Sequence, residues 1–186
     1  MALVYIMFAD GVEEIEALTA VDILRRGGQD VVMVSVTGRR MIYGSHGIEF
    51  ATDRHFEECD FSDGDMLVLP GGGKGTQALL AHDGLRELLR EYEAEDRYIG
   101  AICAAPSVLG ANGLLDGRRA TCYPGFEEKL EGATVTGESV VVDGKIITGK
   151  GMGVSNEFAI ALLRELNEEE ADKVAKAIQM PQGTEA

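Results

Sequence analysis

The chain has 186 residues, 45% of them hydrophobic, and a formal net charge of −15 at pH 7. This suffices for one well-buried core and predicts a single domain over residues 1–180, with a polar tail at 181–186 expected to fray. The charge excludes nucleic acid as an expected partner, since phosphate binding rests on lysine and arginine displacing counterions. No run approaches the roughly 20 apolar residues of a membrane span.

In chain order, Leu3 to Phe8 is apolar but short, lacks a basic start and runs into Ala9-Asp10-Gly11, so it predicts a strand rather than a secretion signal. Together with three cysteines, odd in number and without paired spacing, this points to a cytoplasmic, reducing compartment. Ile15, Leu18, Val21 and Leu24 recur at near-helical spacing, predicting a helix over Glu13 to Arg26 that Gly27-Gly28 ends. Strands are predicted at Val31 to Val36, Met66 to Leu69, Tyr98 to Ile102 and Arg119 to Cys122, and helices at Thr76 to Glu93 and Ala105 to Ala111. Asp143-Gly144 between the apolar arms Val140 to Val142 and Lys145 to Thr148 reads as a hairpin. Helices at Val154 to Leu166 and Glu168 to Ile178 follow. This alternation predicts an α/β fold, a mostly parallel sheet with helices on both faces.

Ligands of such sheets gather at the carboxyl ends of the strands. Three loops with chemical content fall there: Asp10 to Glu16, Pro70-Gly71-Gly72-Gly73-Lys74-Gly75, and the turn at Cys103. Cys103 follows an apolar run and precedes Ala104-Ala105-Pro106, the pattern of a nucleophile elbow, whose tight bend needs small neighbours. The following helix would turn its N–H groups and positive dipole end toward the sulfur and favour thiolate. The elbow pattern alone leaves open an inert buried cysteine, a common state for this residue. The glycine-lysine stretch is no nucleotide loop, because Gly75 rather than Ser or Thr follows Lys74 and Val68 stands where the motif needs glycine. No His/Cys/Asp grouping shows metal-ligand spacing, so no metal is expected. His55 and His82 lie in polar surroundings and read as solvated.

Val68-Leu69-Pro70-Gly71-Gly72, Ala101-Ile102-Cys103-Ala104-Ala105-Pro106, Glu13-Glu14-Ile15-Glu16-Ala17 and Gly149-Lys150-Gly151-Met152-Gly153 together resemble the ThiJ/PfpI superfamily, most closely its DJ-one-like bacterial branch. The resemblance covers nearly the whole chain. It implies a flavodoxin-like three-layer α/β/α sandwich, similar to class I glutamine amidotransferases, that forms a homodimer. It also implies an oxidation-sensitive Cys103 with Glu16 as its conjugate acid, and an oxyanion-type loop of Gly71 and Gly72 joined by the Ala104 N–H. His46 falls where the family can carry arginine and is a candidate for binding a polar substrate, as is Arg26, whose family counterpart approaches the partner's site across the dimer. Tyr123, a further substrate-binding candidate whose phenol can orient a substrate, stands where some relatives place histidine, and Ala104 where the protease branch has one, which disfavours proteolysis. Glu13 and Glu14 are read as complementing the helix dipole, and Cys59 and Cys122 as structural, although Cys122 could trap an oxidised Cys103.

The implied activity is cofactor-free conversion of methylglyoxal or a related 2-oxoaldehyde to a hydroxy acid, as in a glyoxalase III, or removal of early glyoxal adducts, as in a deglycase. The alternative is an oxidative-stress sensor or redox-regulated chaperone that works through Cys103 oxidation.

Overall fold

In the computed structural model, which describes residues 1–181, the chain runs β1 (Leu3–Phe8), α1 (Glu14–Arg26), β2 (Asp30–Ser35), β3 (Met41–Tyr43), β4 (Glu49–Ala51), β5 (Arg54–His55), β6 (Met66–Leu69), α2 (Gly73–Ala81), α3 (Asp83–Ala94), β7 (Tyr98–Ile102), α4 (Pro106–Ala111), β8 (Arg119–Ala120), β9 (Thr134–Val135), β10 (Val140–Asp143), β11 (Ile146–Gly149), α5 (Ser155–Leu166) and α6 (Glu168–Ala177). The seven-stranded sheet has the order β10-β11-β7-β6-β1-β2-β5, and only the β10–β11 pair is antiparallel. Apart from Pro181, the tail expected to fray lies outside the described residues.

Strand alternation builds the layers, because successive side chains point to opposite faces of the sheet. Val4, Ile6 and Phe8 of β1 join α1, α5 and α6 in one core through Leu24, Phe158, Leu162 and Val174. Tyr5 and Met7 point the other way and meet Leu79, Leu89 and Val108 of α2, α3 and α4. The result is a flavodoxin-like α/β/α sandwich. Gly100 lets α5 approach β7, since a Cβ there would lie 2.6 Å from Leu162 Cδ2. Phe158 is fully buried at this contact, and truncating it to alanine would cost on the order of 3–5 kcal/mol.

Four expectations are corrected. The helix read over Thr76 to Glu93 is two helices, broken at His82, whose extended backbone (ψ 105°) interrupts the first and whose Nδ1 accepts the Leu85 N–H at 3.0 Å to cap the second. His82 is therefore a half-buried cap, with its ring 4.5 Å from that of Phe56, and His55 is likewise half-buried rather than solvated. The strand read over Arg119 to Cys122 keeps only Arg119 and Ala120 and pairs with β9 outside the main sheet. Strands β3, β4 and β5 were not read, since they are two or three residues long and mostly exposed, with too few positions to display a period.

Strands β7, β6 and β1 are adjacent in the sheet and parallel, with Leu69 opposite Ala101 and Ile6 opposite Val68. Their carboxyl ends therefore bring the three chemically loaded loops to one edge.

Candidate active site around Cys103

Cys103 has a φ of +66°, a left-handed conformation rare for a residue with a Cβ, and such backbone strain costs roughly 1–3 kcal/mol. It is held from both sides: the Cys103 N–H donates to the Gly149 carbonyl at 2.9 Å, and the Tyr123 N–H donates to the Cys103 carbonyl at 2.8 Å. The Gly72 and Ala104 N–H groups lie beside the sulfur and favour its anionic form. Ala104 is itself 3% exposed.

Glu16 reaches the same point from α1 and is 1% exposed. Its Oε2 accepts the Gly71 N–H at 2.9 Å, its Oε1 is buried without a fixed partner among the described residues, and its carboxyl faces the Cys103 thiol. Glycine is required at two neighbouring positions. A Cβ on Gly71 would overlap Glu16 Oε2 and come within 2.6 Å of Cys103 Cβ, while Gly72 has a φ of +96° and a Cβ there would strike the Gly11 carbonyl and lie 2.5 Å from the Glu13 nitrogen.

Burial pushes Glu16 up to about 7; the thiol contact and the Gly71 N–H oppose the rise, and the Glu13 charge adds to it. Burial also pushes Cys103 up, to about 12, with the Glu16 charge and its hydrogen bond acting the same way and the two N–H donors opposing them. This corrects the expectation of a dipole-favoured thiolate. The Gly72 and Ala104 N–H groups do lower the thiol's pKa, but burial beside a second acid outweighs them. Sulfur and carboxyl titrate as a pair, and the thiolate is accessible when Glu16 carries the remaining proton.

The remaining candidates scatter. Tyr123 is 51% exposed, with its ring beside Gly151 and its amide on the elbow. Arg26 stands at the far end of α1, paired with Asp22, on a groove of about 580 Å³ lined by Ile15, Leu18, Ile48 and Ile178 among others, so its own chain does not bring it to Cys103. Cys59 and Cys122 are free, and Cys122 is buried. His46 is exposed in the turn between β3 and β4, with its Nδ1 3.1 Å from Glu14 Oε2.

The reading of Glu14 as a dipole complement missed its position. Glu14 is 2% exposed. Burial raises its pKa, but the backbone N–H groups of His46 and Glu14 itself, the His46 ring and the Ser45 hydroxyl together bring it down to about 2. Glu13, Glu14 and His46 place ligand-type atoms within 4.8 Å of one another, a grouping no sequence spacing announces. Glu13 in turn caps α1, its Oε2 accepting the Glu16 N–H at 2.7 Å. The missed signal was the His46 turn, 32 residues away in sequence and legible only as a contact.

A sandwich of this topology with a strained cysteine elbow, a buried glutamate beside it and a glycine loop defines the cysteine-elbow class of flavodoxin-like proteins. The chain belongs to the DJ-1/PfpI family, whose model matches residues 2–165. It is 39% identical over 165 residues to Protein DJ-1 homolog B of Arabidopsis thaliana, covering 88% of this chain but 38% of that one, so it spans well under half of that relative's length. It is 32% identical over 152 residues to a protein of Pyrococcus abyssi named as a deglycase, covering 81% of this chain and 90% of that one. The solved structure of oxidised Toxoplasma gondii DJ-1 superposes with a TM-score of 0.92 at 32% identity, covering 96% of this chain and 98% of that chain. Among the described residues no helix is long and apolar enough to cross a membrane.

Proposed function

We propose that the protein is a cofactor-free, cysteine-dependent enzyme that acts on methylglyoxal or related 2-oxoaldehydes, in the manner of a glyoxalase III or a deglycase. The observation that carries this reading is the buried pair of Glu16, raised to about 7, and Cys103 on its elbow. Glu16 takes the thiol proton and the sulfur attacks the aldehyde carbon, forming a hemithioacetal whose oxygen lies against the Gly72 and Ala104 N–H groups. The proton on that carbon moves to the neighbouring ketone carbon with Glu16 as shuttle, which oxidises one carbon and reduces the other within a single molecule. Water then cleaves the resulting thioester, releasing a hydroxy acid such as lactate and restoring the thiol. Release of an amine or thiol from an early glyoxal adduct by the same sulfur would be the deglycase outcome, and the name of the Pyrococcus relative supports it.

A second reading, a sensor or chaperone switched by Cys103 oxidation, is favoured by the oxidised state of the Toxoplasma structure and by the N–H donors that would hold a sulfinate. Lactate formation from methylglyoxal separates the two. Turnover lost in Cys103→Ser supports the enzyme, whereas no turnover above background together with a stable sulfinate favours the sensor.

The groove along α1, with Ile15 and Ile48 about half exposed on it, supports a homodimer in which Arg26 faces the partner. The three free cysteines support a reducing, cytoplasmic location.

A further inference from the structure

We propose that Thr148 is a positioning residue for the nucleophile: its hydroxyl suspends the segment Thr121 to Tyr123 from the sheet, and that segment holds Cys103 in its left-handed conformation. The kinetic consequence rests on the aldehyde reading above; the geometry does not.

Thr148 lies in β11, an inner strand flanked by β10 and β7, with Val141 and Ala101 as its partners. Its backbone N–H and C=O lie in the plane of the sheet, toward those neighbours, so a chain crossing the face of the sheet has only the side chain to bind. Alternation turns that side chain toward the face where Ile146, two residues earlier, packs with Leu109 and Cys122. There the Thr148 hydroxyl accepts the Thr121 N–H at 3.0 Å, and both residues are fully buried. Valine has the same shape, so packing alone does not call for an oxygen here, and a buried oxygen costs free energy unless it is bonded. Among the described residues the Thr121 N–H has no other acceptor.

The contact matters because of where this segment goes. β8 ends at Ala120, whose carbonyl still accepts the Thr136 N–H beside the small two-stranded sheet. From there the chain passes to the elbow. Thr121 is held on both sides, its N–H by Thr148 and its hydroxyl by the Glu138 carbonyl, to which it donates at 2.7 Å. Two residues on, the Tyr123 N–H reaches the Cys103 carbonyl. The Cys103 N–H is meanwhile held by the carbonyl of Gly149, the residue after Thr148. Strand β11 therefore grips the elbow twice, directly on its amide side and through Thr148, Thr121 and Tyr123 on its carbonyl side. Fixing both peptide groups of Cys103 fixes the φ of +66° between them. A residue with a Cβ keeps such a conformation only while its surroundings over-determine it. Release of the carbonyl side lets the elbow relax and carries the sulfur away from Glu16 and from the Gly72 and Ala104 N–H groups.

Amide hydrogen exchange tests the linkage in the native protein, in Thr148→Val, which keeps the shape and loses the acceptor, and in Thr148→Ser, which keeps the acceptor. In Thr148→Val the Tyr123 amide is expected to lose about tenfold or more of its protection, while the Ile99 amide, bonded to the Lys145 carbonyl within the sheet, keeps its own. Thr148→Ser should stay within about threefold of the native protein at both amides. With methylglyoxal, kcat is expected to fall by roughly 10- to 100-fold in Thr148→Val, the scale of a displaced reacting group, with KM kept, and to recover in Thr148→Ser. Tyr123 protection unchanged in Thr148→Val, an equal loss at Tyr123 and Ile99, a serine variant that behaves like valine, or a native kcat in Thr148→Val overturns the proposal. If Thr148→Val does not fold, the native protein decides: the Thr121 and Tyr123 amides are expected to open together, with protection within about threefold of each other, and a freely exchanging Tyr123 beside a protected Thr121 overturns the linkage. A native protein without turnover overturns the aldehyde reading, while the exchange data still decide the positioning.

Discussion

Glu14 and Glu16 leave the same turn of α1, two residues apart, and both are buried, yet one is held down to about 2 and the other pushed up to about 7. The difference lies in what each meets. Glu14 enters a turn that offers it two backbone N–H groups, a hydroxyl and an imidazole, whereas Glu16 has one backbone N–H and an acid for its other neighbour. Burial penalises the charge on both; donors repay it at only one. The same helical turn thus carries one carboxylate held ionised and one carboxyl group poised near neutrality.

The largest effect expected from breaking this contrast is at Glu16. Glu16→Gln keeps the shape and loses the proton exchange, and turnover should fall by roughly 10²- to 10⁴-fold with the melting temperature kept or raised. A variant that still forms lactate at the native rate removes Glu16 from the mechanism. Next comes the pH dependence of stability. Because the folded value of Glu16, about 7, lies above its ordinary 4.5, the folded state binds this proton more tightly than the unfolded chain does. Stability should therefore fall as pH rises from 4.5 to 7, by up to about 3 kcal/mol at roughly 1.4 kcal/mol per pH unit. Glu16→Gln should flatten that slope in urea titrations. Glu14 has the opposite sign: its contribution is complete above pH 4.5 and is lost as pH falls toward 2. An acid limb that persists unchanged in Glu14→Gln would contradict its anchoring role.

Smaller still, Gly44→Ala should displace the Glu14 carboxyl and cost roughly 1–3 kcal/mol by leaving this buried carboxylate short of donors, readable as a lowered urea midpoint. The smallest effect belongs to Arg26, exposed and paired with Asp22. Arg26→Ala should alter subunit stability by less than about 0.5 kcal/mol while weakening self-association in sedimentation, and an unchanged association constant would place Arg26 outside the interface.

Much of the sheet was legible because its strands are buried on both faces and read as continuous apolar runs: Leu3 to Phe8, Met66 to Leu69 and Tyr98 to Ile102 all form strands. The elbow was legible because Cys103 sits between such a run and a patch of small residues. The break at His82 was not, since the ring that caps α3 replaces a more familiar capping side chain and the apolar period continues across it. Nor was the rise of the Cys103 thiol, because a dipole argument counts donors along the chain and omits the acid that α1 brings beside them.

By itself the amino-acid order determined the layers, the bend at Cys103 and the glycines that let backbone crowd it, since these follow from periodicity and side-chain size over a few neighbouring positions. Only the tertiary structure decided which of three consecutive-looking acids became a cap, a buried carboxylate held ionised or a buried carboxyl group raised toward neutrality. Protonation depends on solvent exclusion and on donors arriving from distant segments, here Gly71 for Glu16 and the turn at Ser45 and His46 for Glu14, and those meetings exist only once the sheet has brought its loops to one edge.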